Sequence, residues 1–516
     1  MSKSLTRSGA AQEVSKPTTS PRIGILIVAY NAASTVAKVL DRIPKTFRPR
    51  ITQIFVCDDA SQDATYLVGL GYKQITDDLP LTIIRHPRNL GYGGNQKAGY
   101  RLAIEHDLDI IVLLHGDGQY APECLEDIVS PLERGECDAV LGSRMLVKGA
   151  ARKGGMPLYK YVGNRILTRF ENRMLGTELS EFHSGYRAYS VKALASIPFE
   201  ANADGFNFDT EIIIQLVDAG KRIVEVPIPT YYGDEICYVD GMKYAKDVSL
   251  DVLRYRLAKL GFMSGEMGSV GDEYAVKPSD ESSHSVVLRW LEQMPPARVL
   301  DLGCSGGLLS KRMRDLGHQV TGVDRLELPG VLTRVDRFIH ADLDRGLPQE
   351  IDDEGPYDVV VAADVLEHVR EPERLLEQVR QVLVPRGVLV ASVPNFSHWY
   401  SRGRTALGLF DYDQRGILDN GHVRFFTRRS FLRRLRHAGF TVVRHEATGL
   451  PLDVLSGGHG AVKRVLRAAD RIAVTLRPTL FGYQIVCQCE APAEPIERSM
   501  SLAGTRSAPE QRIAAP

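Results

Sequence analysis

The chain has 516 residues, 44% of them hydrophobic and 25% charged, a globular composition too long for one ordinary core. Lys plus Arg and Asp plus Glu both number 64, so no global charge points to nucleic acid. With neither a secretory signal nor a run of eighteen apolar residues, a cytoplasmic protein of two domains is expected.

Residues 1–21 are polar and read as a disordered tail. Ile23 to Asn31 (IGILIVAYN) is then a buried strand ending in a polar turn, with Ser34 expected to cap a helix running to about Ile43. A second strand, QIFVCDDAS, ends on Asp58 and Asp59, two carboxylates able to accept hydrogen bonds from a base and a ribose, while Asp63 suits a helix cap. A third strand leads into Asn89, Gly91, Gly93 and Gly94 and a helix to Ala103. Glycines there permit a close backbone approach, and the helix N-terminus favours a phosphate. Next comes the apolar run Ile110–Leu114, followed by His115, Gly116, Asp117, Gly118 and Gln119. A carboxylate and an oxygen donor at such a strand tip can hold a divalent cation, and the cation a diphosphate.

Pro122–Leu132 reads as a helix and Asp138–Met145 as a strand. Tyr159–Leu175 is a helix with Arg165, Arg169 and Arg173 on one face, either solvated or, for one of them, phosphate-binding. SEFHSGYRAYS contains Arg187, and Asp209 and Glu211 open a later helix, where its dipole favours carboxylates. This alternation makes a parallel sheet the natural architecture.

In this order the motifs resemble family 2 glycosyltransferases of the GT-A fold, most closely the dolichol-phosphate-mannose-synthase-like branch. The resemblance implies that Tyr30, Asn31, Asp58, Asp59, Asn89, Gly91 and Asp117 bind a nucleoside-diphosphate sugar, and that His115, Asp117 and Gln119 hold Mn2+ or Mg2+. In that family the strand ends Asp-x-Asp-x-Gln, whereas His115 stands here at the first Asp; imidazole suits manganese better than magnesium. Arg187 would stabilise charge on the leaving nucleotide, and Asp209 and Glu211 are candidates for a direct catalytic role, such as the general base that a sugar hydroxyl would need. The implied acceptor is a polyprenyl phosphate or a glycan. A lipid phosphate is already an anion and needs no base. The QxxRW motif of processive synthases is absent from the sequence, so a single transfer is expected, and the resemblance implies that it inverts.

The first domain is expected over 22–240, followed by an amphipathic helix and a Gly/Ser/acid-rich linker over 241–282. The helix carries one stripe of Val248, Val252 and Tyr255 and another of Leu250, Leu253, Leu257 and Leu260, both expected to pack. Ala297–Gly307 (ARVLDLGCSGG) then places Asp301, Gly303, Gly306 and Gly307 between a strand and a helix, and Asp324 ends the following strand, at a spacing that lets a carboxylate hold a ribose. A nicotinamide site is the competing reading, but Ser305 stands where GxGxxG needs its second glycine. The DxGxxxG form resembles class I methyltransferases that use S-adenosyl-L-methionine. That resemblance implies an adenine contact from Asp342 and a site role for Asp364, within PYDVVVAADVLEHV. Methylating a hydroxyl needs a base or a metal, and His368 and His422 are the candidate residues.

Val462–Leu476 reads as a basic amphipathic helix (Lys463, Arg464, Arg467, Arg471), which raises peripheral contact with an anionic membrane at its inner face. Seven cysteines without CxxC spacing suit a reducing compartment, with Cys487 and Cys489 better read as strand packing than as metal ligands. The methyltransferase domain is expected over 283–490, and 491–516 as a disordered tail. The expected fold is α/β with two Rossmann-like domains, a GT-A glycosyltransferase followed by a doubly wound methyltransferase. The alternative is an active methyltransferase carrying a degenerate module that only binds a sugar nucleotide.

Overall fold

The computed structural model describes residues 20–231, 240–262, 282–413, 415–452 and 461–493. Most of both expected tails, the linker from 263 to 281, Cys237 and the side chain of Lys463 lie outside the described residues. The chain divides into two compact units, one on each side of that linker.

The first unit is built on seven strands: β1 Ile23–Ala29, β2 Ile51–Asp58, β3 Leu81–Arg85, β4 Ile110–His115, β5 Ala139–Ser143, β6 Arg187–Ser190 and β7 Ile223–Pro227. They lie in the order β3-β2-β1-β4-β6-β5-β7, parallel except for β6, which runs antiparallel to both neighbours. All seven residues of β1 are buried because helices cover both faces. Ile23, Ile25 and Ile27 face one core with Val36, Leu40 and Leu125, while Leu26 and Val28 face another with Tyr100, Phe208 and Ile212. The order reverses between β1 and β4, and the register Ala29↔Asp58 and Val28↔His115 brings three strand tips side by side there. Such a reversal opens the crevice in which open sheets bind ligands.

The first helix is Val36–Asp41, shorter than expected and without a Ser34 cap. Pro44 disfavours helical geometry at Ile43, and Thr65, not Ser34, engages the turn, accepting from the Ala32 amide at 2.7 Å. The helix Gly241–Lys259 is capped by Asp240, whose carboxylate accepts from the Met242 and Lys243 amides. Val248, Val252 and Leu260 are buried and Tyr255 and Leu257 half-buried, whereas Leu250 and Leu253 are exposed, so the second stripe packs less completely than the first.

The second unit holds β8 Arg298–Leu302, β9 Gln319–Asp324, β10 Arg337–His340, β11 Tyr357–Ala363, β12 Leu383–Pro394, β13 Thr441–Thr448 and β14 Gln484–Glu490. Their order is β10-β9-β8-β11-β12-β14-β13, with β14 antiparallel to its neighbours. This is a doubly wound sheet, with its reversal between β8 and β11. Cys487 and Cys489 point together into the core, where burial pushes both thiols up. The helix Ala461–Leu476 leaves Val465, Leu466, Ile472 and Leu476 exposed beside Arg464 and Arg471. No helix of the described residues is long and apolar enough to cross a membrane.

Candidate active sites

In the first unit the tip of β2 is buried. Asp58 Oδ1 accepts from the Ser61 amide at 3.2 Å and from the Ser61 hydroxyl, while Oδ2 has no hydrogen-bond partner and lies 3.6 Å from the Arg85 guanidinium. Asp59 accepts from the amides of Leu90 at 2.7 Å and Gly91 at 3.1 Å, and burial raises its pKa. Asp59 therefore ties the glycine-rich turn to the tip of β2. Asn89 reinforces the tie, donating to Asp59 O and accepting from Gly91 N. Asn31, held at φ +49°, accepts from the Gln62 amide, and Tyr30 is exposed beside it.

Gly91, at φ +82°, precedes the helix Tyr92–Glu105; a Cβ there would stand 2.6 Å from Asp204 O. The phosphate expected at this helix N-terminus meets a competitor, because Gly93 N donates to Asp204 O at 2.8 Å and Lys97 Nζ pairs with the Asp204 carboxylate at 2.7 Å. The loop before the helix Phe208–Asp218 thus occupies those groups.

Beneath the tip of β4 runs a chain of hydrogen bonds. The Tyr92 hydroxyl donates to Asp209 Oδ2 at 3.0 Å and lies 3.1 Å from His115 Nε2. With the tyrosine proton committed to the carboxylate, His115 donates from Nε2 and Nδ1 carries its lone pair. Burial lowers the His115 pKa despite Asp117 and Asp209 nearby, so the ring is neutral. Gly185 makes room for it, since a Cβ there would stand 2.5 Å from its Cε1 and Nε2. Asp117 is exposed and accepts from Gln119 N at 2.9 Å. A neutral imidazole and one exposed carboxylate at a strand tip fit a borderline divalent cation.

Arg187, expected to face the leaving nucleotide, lies elsewhere. It is fully buried in the middle of the sheet, donating to Ser184 O, Phe182 O and Asp209 O at 2.6–2.7 Å, with the Asp209 carboxylate 3.5 Å away. A central strand position turns it inward, where it positions Asp209. Asp209 also accepts from Gln96 at 3.1 Å. Glu211 accepts from Ala203 N at 2.7 Å, and burial raises its pKa to about 7. Both expected bases are therefore engaged with protein donors. Arg165, Arg169 and Arg173 are all exposed.

In the second unit, Gly303 at φ +67° follows β8, and a Cβ there would meet Val365 at 2.8 Å. Gly307 at φ +73° starts the helix Leu308–Asp315, and the Gly306 carbonyl accepts from Arg334 at 2.7 Å. Asp324 accepts from the Ser305 amide at 2.8 Å and the Leu326 amide at 3.0 Å, bringing the two strand tips together. Asp342 is exposed. Two expected ligand contacts are instead internal. Asp301 is buried, accepts from the Ser310 hydroxyl at 2.5 Å, and has its pKa raised to about 7 by burial. Asp364, at φ +58°, accepts from Ser392 at 2.7 Å and from Gln484 at 2.7–2.8 Å. The His368 and His422 rings meet edge to face with centroids 4.8 Å apart, and burial, then His368, lowers the His422 pKa.

Tyr92, Gln96 and Gln484 are the site residues that motif reading misses. Tyr92 and Gln96 lie in the helix that follows Gly91, where a polar residue at a helix position facing the sheet was the available signal; Gln484 offered none.

Comparison with known proteins agrees with these folds. Residues 24–197 match the glycosyl transferase family 2 description and residues 280–445 a methyltransferase domain. An uncharacterized protein of Methanocaldococcus jannaschii is 30% identical over 210 residues, covering 41% of this chain and 82% of that protein. An undecaprenyl-phosphate mannosyltransferase of Micrococcus luteus is 28% identical over 212 residues, covering 40% and 82%. A ubiquinone biosynthesis O-methyltransferase of Maricaulis maris is 34% identical over 103 residues, covering 19% of this chain and 41% of that enzyme. The chain therefore carries a family 2 glycosyltransferase domain over residues 24–197 and a methyltransferase domain over residues 280–445, and is an enzyme with domains of both classes.

Proposed function

We propose that the first unit transfers one sugar, with inversion, from a nucleoside-diphosphate sugar to a polyprenyl phosphate, and that the second methylates the resulting glycan or a related small molecule from S-adenosyl-L-methionine. The observation that carries the acceptor is the commitment of Asp209 and Glu211 to protein donors. A sugar hydroxyl needs a base, whereas a phosphate attacks as the anion it already is. The helix Leu158–Leu175 adds support: Leu158, Tyr159, Val162 and Ile166 form an exposed apolar stripe beside Arg165 and Arg169, suited to a lipid whose head is anionic. A glycan acceptor is the less favoured choice. The name of the Micrococcus relative points the same way.

Asp117 and His115, through Nδ1, would hold Mn2+ or Mg2+, which would supply positive charge to the leaving diphosphate. Gln119 lies beside them. The buried Asp58 Oδ2, ion-paired with Arg85 but without a hydrogen bond, is suited to accept from the nucleotide, next to Tyr30 and Asn31. In the second unit the close approach at Gly303 and the carboxylates of Asp324 and Asp342 fit S-adenosyl-L-methionine, with Gly306 and Gly307 in the same turn, Asp301 bracing the helix that follows it through Ser310, and Asp364 held by Ser392 and Gln484 at the end of β11. When bound, that molecule supplies an electrophilic methyl on a sulfonium. The exposed apolar residues of the helix Ala461–Leu476 would rest on an anionic cytoplasmic membrane face.

His115→Asp separates this reading from the degenerate-module alternative, which rests on His115 standing where the family's first Asp is expected. Loss of sugar transfer supports a working imidazole; a gain supports a module that had lost it.

A further inference from the structure

Where β11 ends, the turn carrying Glu367 and His368 meets the loop Asp419–Arg424. Glu367, His368 and His422 each offer one ligand atom, and these atoms lie within 4.8 Å of one another. The backbone clamps the two segments, because the Glu367 carbonyl accepts from the Val423 amide at 2.9 Å and the Arg424 amide at 3.0 Å. His368 Nδ1 lies 2.9 Å from Gly421 O, and His422 Nδ1 lies 3.3 Å from Ile417 O. A carbonyl can only accept, so each ring carries its proton on Nδ1 and presents the lone pair of Nε2. Carbonyl-held imidazoles of this kind are the usual ligands of protein-bound metals. Gly421 permits the contact, since a Cβ there would press to 3.3 Å from the His368 ring. Glu367 and His422 are buried while His368 is exposed, which leaves a way in from solvent.

We propose that Glu367, His368 and His422 form a site for one divalent transition-metal ion that holds the acceptor oxygen; the second clause rests on the methyl-transfer reading above. Metal–ligand bonds of about 2.0–2.2 Å put donors on one ion roughly 3–4 Å apart, close to the separation of no more than 4.8 Å seen here. Two nitrogen donors and one carboxylate favour zinc, cobalt or manganese over magnesium. Three protein ligands leave a position open for an acceptor hydroxyl, whose pKa the ion lowers. The hydroxyl proton passes to solvent, the O–CH3 bond forms as the S–CH3 bond breaks, and a neutral thioether leaves. The two histidines thereby serve as ligands in place of general bases.

The test uses the full chain carrying Asp117→Asn, stripped by chelation and titrated with Co2+ alone. One Co2+ per chain is expected, with a visible d–d band. His368→Gln and His422→Gln should each weaken binding at least about tenfold to a hundredfold, while melting temperature and S-adenosyl-L-methionine binding show that each variant folds. If a variant does not fold, imidazole nitrogen couplings in the paramagnetic resonance of the Mn2+-loaded Asp117→Asn chain decide. No bound Co2+, equal affinity in both histidine variants, or no nitrogen coupling overturns the proposal. Binding is read without turnover, so its failure and a failure of methyl transfer are separate results.

Discussion

Tyr92→Phe removes one hydroxyl and leaves the ring, with its stacking on Phe206 at 5.0 Å. The lost oxygen donates to Asp209 and accepts from His115. A hydrogen bond to a charged carboxylate contributes about 1.5–3 kcal/mol and a neutral one about 1. Asp209 keeps Gln96 and the Arg187 guanidinium, so the net loss is about 2–3 kcal/mol. For a unit of this size that lowers the melting temperature of the first transition by roughly 5–10 °C. The same change frees the His115 tautomer, because nothing then requires Nε2 to be protonated. Nitrogen NMR of labelled imidazole should show one protonated Nε2 in the parent chain and a mixture in the variant. Sugar transfer should fall with it, since the lone pair at Nδ1 is no longer fixed. A variant that melts within a degree of the parent, with unchanged imidazole nitrogen shifts, refutes the hydrogen-bonded chain.

Gly185→Ala forces a Cβ to 2.5 Å from the His115 ring and should abolish sugar transfer while leaving S-adenosyl-L-methionine binding to the second unit unchanged, as read by calorimetry. Glu211 is only 6% exposed and its folded pKa rises from 4.5 to about 7. The folded state therefore holds the proton more tightly, so this contribution is fully present below pH 4.5 and is lost as pH climbs to about 7. The upper limit is about 3 kcal/mol, and Glu211→Gln should flatten the melting profile of the first unit across that window. Gln484→Leu strips two hydrogen bonds from Asp364 and should weaken S-adenosyl-L-methionine binding about tenfold, measured by equilibrium dialysis.

Strand tips were legible because a strand buried on both faces is a bare apolar run, and the polar residue that ends it is conspicuous. Asp58, Asp117, Gly303 and Asp324 were all found this way. What their side chains touch was not legible. Asp209 meets Tyr92 across 117 positions and Gln484 meets Asp364 across 120, separations that no local period encodes. Arg187 misled for a topological reason: β6 inserts between β4 and β5, pairing Arg187 with Leu113 and Leu141 and turning a motif arginine into a buried one. The glycine turn before Tyr92 likewise looked open because the loop that caps it, at Asp204, comes more than a hundred residues later.

The most direct test of the central claim is a two-label partition assay. The full chain is incubated with a panel of tritiated nucleoside-diphosphate sugars, polyprenyl phosphate and Mn2+, then with carbon-labelled S-adenosyl-L-methionine, and extracted into organic solvent. The account predicts tritium in the organic phase, absent with Asp117→Asn, followed by carbon label in the same lipid-linked product or in the glycan released from it. Tritium that stays aqueous while the sugar nucleotide binds unconsumed would contradict it.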